Sequence, residues 1–394
     1  MRRVNLLAAA LAALLAPVGL ADPAGPQGPI EFRFAPRPGQ VIRQQMVMKS
    51  VGTLGLAPGL PGVKFTQSTT QEITAKCRQV NPDSSAVVDV TLTHIATRMN
   101  TAGITIECDS RTFDPAKAKS LDVRLIGRFF SALIGSQVTF TFDAQGAPTK
   151  VTGMREVVAK TLGSIKQELG QGVSAARVNQ TIEGIGAMFD DESMLEQMKA
   201  FYRFIPSQPS PVAVGQQWQQ NWKMELPVLS SLCNARGSYV LLGIETFHGR
   251  PCARIGIRES FALAPDLATP AKTTRQDSPG MNRLLDQLDY SLNASNGEGT
   301  AYWDYQTGVL VQLRQTQRVV IDMKFKSRGE AATTSPAGTS PAEVRDRQSF
   351  SQQFVTSFQV DLLEGEADQT TTQTATQTAT QAAPQTATTG PADR

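Results

Sequence analysis

The sequence predicts an α+β fold that is mostly antiparallel β: two similar, pseudo-duplicated curved sheets with a helical segment packed on them. Three observations predict it. Apolar and polar side chains alternate with period two along most of the chain. The spacing becomes helical between residues 154 and 205. Landmarks of the first half recur, in the same order, in the second.

The alternation is plain in four stretches. Ile42, Met46 and Met48 share one parity, and Val88, Val90 and Leu92 lie opposite Asp89, Thr91 and Thr93. Leu288, Tyr290 and Leu292 alternate with Asp289, Ser291 and Asn293. Phe350, Phe354, Phe358, Val360 and Leu362 alternate with Ser351, Val355, Ser357 and Asp361. Strands with one buried face produce this pattern. Turn signals separate the runs: Asn81-Pro82-Asp83, Ala144-Gln145-Gly146, Phe247-His248-Gly249 and Gln306-Thr307-Gly308.

Between 154 and 205, Val158, Leu162, Ile165 and Leu169 recur at three and four, as do Ile182, Ile185 and Phe189, then Leu195, Met198 and Phe201. Asp190, Asp191 and Ser193 supply capping side chains for the last of these helices, and Pro206, Pro209 and Pro211 end it. The apolar faces of such helices must lie on the sheets or on each other.

The duplication rests on paired landmarks. PGQVI (38–42) and VGQQW (214–218) each open a strand, and TFTFDAQG (139–146) and GTAYWDYQTG (299–308) each lead an aromatic strand through Asp into a Gly turn. The division that follows is 30–153 for the first β-rich half, 154–205 for the helical segment and 206–364 for the second half.

The two ends differ from this body. Arg2 and Arg3 precede an apolar run from Leu6 to about Leu20, with Gly19 and Ala21 placed for cleavage after Ala21. Residues 1–21 therefore read as a secretory signal peptide, and the mature chain is expected to be exported, periplasmic or extracellular in a bacterium. From 365 to 394 the chain is Thr, Gln and Ala, a composition that buries too little to offset ordering entropy and reads as a disordered tail.

Composition narrows the function classes. Apolar residues make up 40% and charged residues 19%, as in an ordinary soluble globule, and no segment of the mature chain is apolar long enough to span a membrane as a helix. The net charge of +3 comes with no dense basic stripe in the sequence, so nucleic acid is not expected as a partner. Four cysteines in an exported chain favour disulfides. Three pairings are possible, and the placement of one couple in each half points to Cys77–Cys108 and Cys233–Cys252. With only His94 and His248 to join those cysteines, no metal centre and no cofactor is expected.

No G-x-S-x-G elbow occurs. Asp109, Asp114, Asp143 and Asp304 are the carboxylates that a glycoside hydrolase would need, but Asp143 and Asp304 stand before turn glycines, where Asp bonds its own turn. His94 and His248 read as surface or capping residues. Trp218 and Trp222 share one parity and read as packing residues. The apolar, Gly-rich stretch SVGTLGLAPGLPGV (50–63) is the oddity, a hairpin loop that either folds back on the core or touches a ligand. A candidate apolar site therefore takes Leu54, Leu56 and Leu60 from this loop and Met188 and Met198 from the helices.

Four motifs carry a family likeness: PRPGQVIRQQMVM (36–48), TFTFDAQGAPTKVTG (139–153), PSQPSPVAVGQQW (206–218) and GTAYWDYQTGVLVQL (299–313). In these the chain resembles a family of uncharacterised secreted bacterial proteins catalogued as a domain of unknown function. That likeness implies no activity for any residue. The functional expectation is a non-catalytic exported envelope protein that binds an apolar, lipid-like molecule or an envelope protein. The alternatives are a scaffolding module of the envelope and, far behind, a carboxylate-based hydrolase.

Overall fold

The computed structural model describes residues 28–54, 62–101, 103–118, 120–169, 190–207, 211–226, 231–263, 288–293, 295–325 and 349–363. The segments expected from the sequence to be a signal peptide, a disordered tail and the helical repeat at 182–189 lie outside them. The described strands are β1 (Val41–Leu54), β2 (Val63–Val80), β3 (Ala86–Thr101), β4 (Ile104–Asp109), β5 (Gln137–Phe142), β6 (Pro148–Thr152), β7 (Gln217–Leu226), β8 (Ser231–Phe247), β9 (Arg250–Leu263), β10 (Leu288–Leu292), β11 (Asn296–Asp304), β12 (Val309–Phe325) and β13 (Ser349–Leu362). The helices are α1 (Leu121–Leu133), α2 (Met154–Leu169) and α3 (Asp191–Tyr202).

All strand pairs are antiparallel, and the two expected sheets are two segments of one. The strand order is β6-β5-β3-β2-β1-β13-β12-β11-β9-β8-β7, with β4 beside β3 and β10 beside β12. The duplication is visible in that order: β6-β5-β3-β2-β1 and β12-β11-β9-β8-β7 are the same five-stranded arrangement repeated, and β13 fills the seam between them.

The paired motifs fold alike down to single hydrogen bonds. Gln40 Oε1 accepts from Arg37 N–H at 2.8 Å, and Gln216 Oε1 accepts from Ala213 N–H at 2.9 Å. Gly39 and Gly215 take φ of 82° and 85° in these two turns. Asp143 Oδ1 accepts from Gln145 and Ala147, and Asp304 Oδ1 accepts from Gln306 and Thr307. Both aspartates thus bond their own turns, as the sequence predicts.

An extended segment over 30–36 ties the two turns together. Phe34 N–H donates to Ala144 O at 3.0 Å and Ala35 N–H to Thr307 O at 3.2 Å, while Ile30 pairs with Val212. Phe34 passes against both turn glycines. A Cβ on Gly146 would lie 3.1 Å from that of Phe34, and one on Gly308 would collide with Arg33 O and Phe34 Cα.

One face of the sheet carries the helices and three apolar clusters. In the first, Val88, Phe140, Phe142 and Val151 meet Leu125 and Phe129 of α1, Val158 and Leu162 of α2 and Met198 of α3. In the second, Phe32, Phe204, Leu241, Ile255 and Leu313 surround Trp303, which is fully buried. In the third, Ala235 and Phe261 meet Ile321 and Met323, with Phe354 beside them. Helix α1 is absent from the strand-only reading of the first half, although Leu121, Leu125 and Phe129 already sit four apart and Ser120 caps the helix by accepting from Val123 N–H. Asp190 caps α3, whereas Asp191 accepts from Met154 N–H at 2.8 Å and so caps α2, locking the two helix starts together.

The expected disulfides are not formed; all four cysteines are free and buried. Register explains why. Cys77 faces Val88 and Cys108 faces Thr97, nine residues further along β3, which at roughly 3.3 Å per residue separates them by about 30 Å. Cys252 faces Glu245 on β8, twelve residues from Cys233, or about 40 Å. A disulfide needs Cα atoms within about 7 Å. Burial pushes the thiols up, that of Cys108 to about 11 and that of Cys252 to about 12, with the neighbouring charges of Asp109 and Asp304 adding to the effect, so both stay protonated near neutrality.

Two measurements check this architecture. Thiol titration of protein unfolded without reductant should find four free thiols; two or none would contradict the register. Gly308→Ala meets both a positive φ and the backbone of the 30–36 segment, so it should cost more than about 2 kcal/mol in denaturant unfolding. Gly39→Ala, with open space around its Cβ, should cost only the conformational part, about 1 kcal/mol.

Candidate functional site

Glu259 breaks the apolar parity of β9. Ile255, Ile257, Phe261 and Leu263 point to the helix-bearing face, and Glu259 stands among them, 8% exposed. The strands on either side make room for it: Glu259 is paired with Gly237 on β8 and Gly297 on β11. Its carboxylate lies over Gly297, where a Cβ would come within 2.8 Å of Oε2, and the ring of Tyr239 folds over Gly237. Gln317 Nε2 donates to Glu259 Oε2 at 2.8 Å.

Arg203, the residue after α3, reaches this row from above. Its guanidinium lies 4.5 Å from the ring centroid of Trp222 and is electrostatically coupled to Glu259 and Tyr239. Trp218 stacks on Tyr239 and donates from Nε1 to Phe204 O at 2.9 Å. Gln220 donates from Nε2 to Ile205 O. The two tryptophans that share a parity on β7 thus pack under the end of α3, as expected.

Burial sets the electrostatics. It raises the Glu259 carboxyl above the ordinary carboxylate range, against the opposing pull of Gln317, Gln315 and Arg203. It lowers the Arg203 guanidinium, which Glu259 partly restores, and raises the Tyr239 phenol, which therefore remains a donor. Tyr239 Oη and Trp222 Nε1 are buried with no hydrogen-bond partner among the described residues. A buried donor left unpaired costs about 1–3 kcal/mol, so two of them beside a cation mark a place suited to an acceptor. The row lies between the second and third apolar clusters. Such an arrangement can hold the polar end of a molecule whose remainder is apolar.

The candidate residues read from the sequence do not assemble into one site. Met198 is 9% exposed and belongs to the first cluster, as core filling under α3. Leu54 pairs with Val63 at the far tip of β1. Leu56, Leu60 and Met188 lie outside the described residues. The Glu259 row is not among the candidates read from the sequence, yet the sequence carries a signal for it: one acidic residue on the apolar parity of R-I-G-I-R-E-S-F-A-L.

His94 departs from the surface reading. Thr93 is an extra residue in β3 between the pairs Ile73–Leu92 and Glu72–His94, and this bulge re-aims the histidine. His94 is 6% exposed, with Nε2 3.0 Å from Asp109 Oδ1 and Nδ1 3.4 Å from Glu72 Oε1, while Arg111 closes the group on Glu72 at 2.6 Å. Burial alone would raise the Asp109 carboxyl, but the N–H of Arg111, the hydrogen bond from His94 and the charges of both bring it below its ordinary value.

Two substitutions test the row. Tyr239→Phe removes an unpaired buried hydroxyl, so stability should hold or rise by up to about 1 kcal/mol; a loss would show that the hydroxyl is already satisfied. Glu259 has a raised folded-state pKa, so its contribution is fully present below the ordinary carboxylate range and is lost as pH rises through its folded value. The melting temperature of Glu259→Gln relative to wild type should therefore improve as pH rises from about 4 toward neutrality.

No curated protein matches the chain. Among solved structures it is similar, at low level, to lipovitellin in a study of its lipid–protein interactions, with a TM-score of 0.36, 9% identity and coverage of 83% of this chain and 25% of that one. The chain therefore spans about a quarter of the length of that relative. DynF of the dynemicin pathway of Micromonospora chersina gives a TM-score of 0.17 at 6% identity, over 90% and 95% of the two chains. An outer membrane channel from Pseudomonas putida F1 gives 0.19 at 8% identity, over 84% and 98%. The motifs at 139–153 and 206–218, which carried the family likeness, fall inside a longer match: residues 83–247 fit the model of DUF6263, a family of unknown function.

Proposed function

We propose that this protein is a non-catalytic, exported envelope protein that holds an apolar, lipid-like molecule on the helix-bearing face of its sheet. The observation that carries the reading is the Arg203–Glu259 row, with two unpartnered donors, Tyr239 Oη and Trp222 Nε1, at the border of two apolar clusters. In this reading the donors and the guanidinium take the acceptor oxygens of a polar end group, and the apolar remainder lies against Phe261, Ile321, Met323 and Phe354. The turn roles of Asp143 and Asp304 leave neither aspartate as an obvious hydrolytic pair.

A second reading, as a scaffolding module, draws on the sheet edges. Among the described residues strand β7 has a neighbour on one side only, and it presents Gln217, Gln219, Asn221 and Lys223. Native mass spectrometry of protein taken from its own source separates the two readings. A bound species released by organic solvent, and depleted in the doubly substituted Tyr239→Phe, Trp222→Phe protein, is the expected result. A protein that carries no such species, takes up no fluorescent fatty-acid analogue and yet crosslinks reproducibly to an envelope protein would overturn the first reading in favour of the second.

A further inference from the structure

The face of the sheet opposite the helices holds a charge pattern that the sequence conceals. Register aligns three neighbouring rows across it. One row runs Asn221–Arg236–Ser260–Asn296–Arg318 and on to Val355, Val51 and Thr66. The next runs Gln219–Ser238–Arg258–Glu298–Thr316–Ser357–Lys49–Ser68–Arg98. The third runs Gln217–Val240–Gly256–Thr300–Arg314–Gln359. Between β7 and β3 these rows hold Arg236, Arg258, Arg314, Arg318, Lys49 and Arg98 against a single acid, Glu298. Adjacent rows lie about 7 Å apart and adjacent strands about 4.8 Å apart, so the cations form one field.

Two further features separate this face from an ordinary solvated one. Arg236, Arg258, Arg314 and Arg318 are exposed and form no ion pair among the described residues. The rows also border an open depression of about 650 Å³, lined by Ser238, Arg258, Thr300, Arg314 and Thr316. Its lining mixes these guanidinium groups and hydroxyls with the amide of Gln217, the carboxylate of Glu298 and the apolar side chains of Val240 and Leu242, and none of the residues in the three rows is aromatic.

We infer that this depression and its basic rows bind an extended anionic polysaccharide. The guanidinium groups match carboxylate or sulfate groups by bidentate hydrogen bonds, and the Ser, Thr, Asn and Gln side chains match sugar hydroxyls. A concave floor fits a chain better than a planar bilayer does, and rows without an aromatic side chain offer no platform for stacking nucleobases. The inference is independent of the ligand proposed for the other face.

Fluorescence anisotropy with labelled oligogalacturonate tests it on the full mature chain. Saturable binding that weakens with added salt is expected, with a neutral dextran oligomer bound much more weakly. The double substitution Arg258→Ser, Arg314→Ser should weaken binding at least about tenfold while leaving the melting temperature unchanged, because both side chains are exposed. Lys76→Ser, on the same strand as Ser68 but eight residues beyond it and outside the three rows, should leave binding within about twofold of wild type. Equal binding by wild type and the double variant would overturn the inference, as would no binding at low salt. Tighter binding to phosphatidylglycerol-containing vesicles or to oligothymidylate than to the saccharide would also overturn it.

Discussion

Strand β13 is the constraint on which this architecture depends. It pairs with β1 on one side and β12 on the other, and so converts two five-stranded units into one antiparallel sheet. Without it, β1 and β12 would each present a long edge of unpaired backbone groups. The side chains of β13 fit the seam: Val360 faces Met46 and Leu313 in the second apolar cluster, and Phe354 faces Gly52, whose missing side chain leaves space that the ring of Phe65 occupies. Phe65 and Phe354 meet there at 5.7 Å between ring centroids. The seam is thus held by both backbone pairing and packing.

A second, smaller tie follows from the duplication. Two equivalent Asp-to-Gly turns lie close enough for one extended segment, 30–36, to bond to both, and the aromatic residues that precede them, Phe142 and Trp303, both meet Tyr202. The aromatic chain from Phe34 through Phe142, Tyr202 and Trp303 to Phe204 joins the first apolar cluster to the second. Repeated halves therefore share a core, which helps explain why the helical connection can lie mainly on the first half while its end, at Arg203, reaches the second.

The two faces have different chemistry because the pleat sends alternate residues to opposite sides. On the helix-bearing side a single carboxylate, Glu259, sits among apolar residues, tolerated because glycines at 237 and 297 leave it space and Gln317 satisfies part of it. On the other side, small hydroxyl and amide residues separate exposed arginines.

Much of the fold was legible in the sequence. Period-two alternation, the Asp-to-Gly turns and the paired Gly-Gln motifs specify antiparallel strands and a duplication because they are local: a strand's parity and a turn's hydrogen bonds need only neighbouring residues. The helix at Leu121–Leu133 escaped a strand-centred reading although its spacing was available. Other features depended on register, which brings together residues far apart in the chain. Register places Cys77 and Cys108 opposite distant parts of β3, surrounds Glu259 with Gly237 and Gly297, uses the bulge at Thr93 to turn His94 toward Asp109, and gathers arginines from four strands into one field. The sequence by itself determined which residues alternate and where the chain turns. Only the tertiary structure decided which strands lie side by side, because that choice is set by long-range backbone pairing and the packing of one face against the helices.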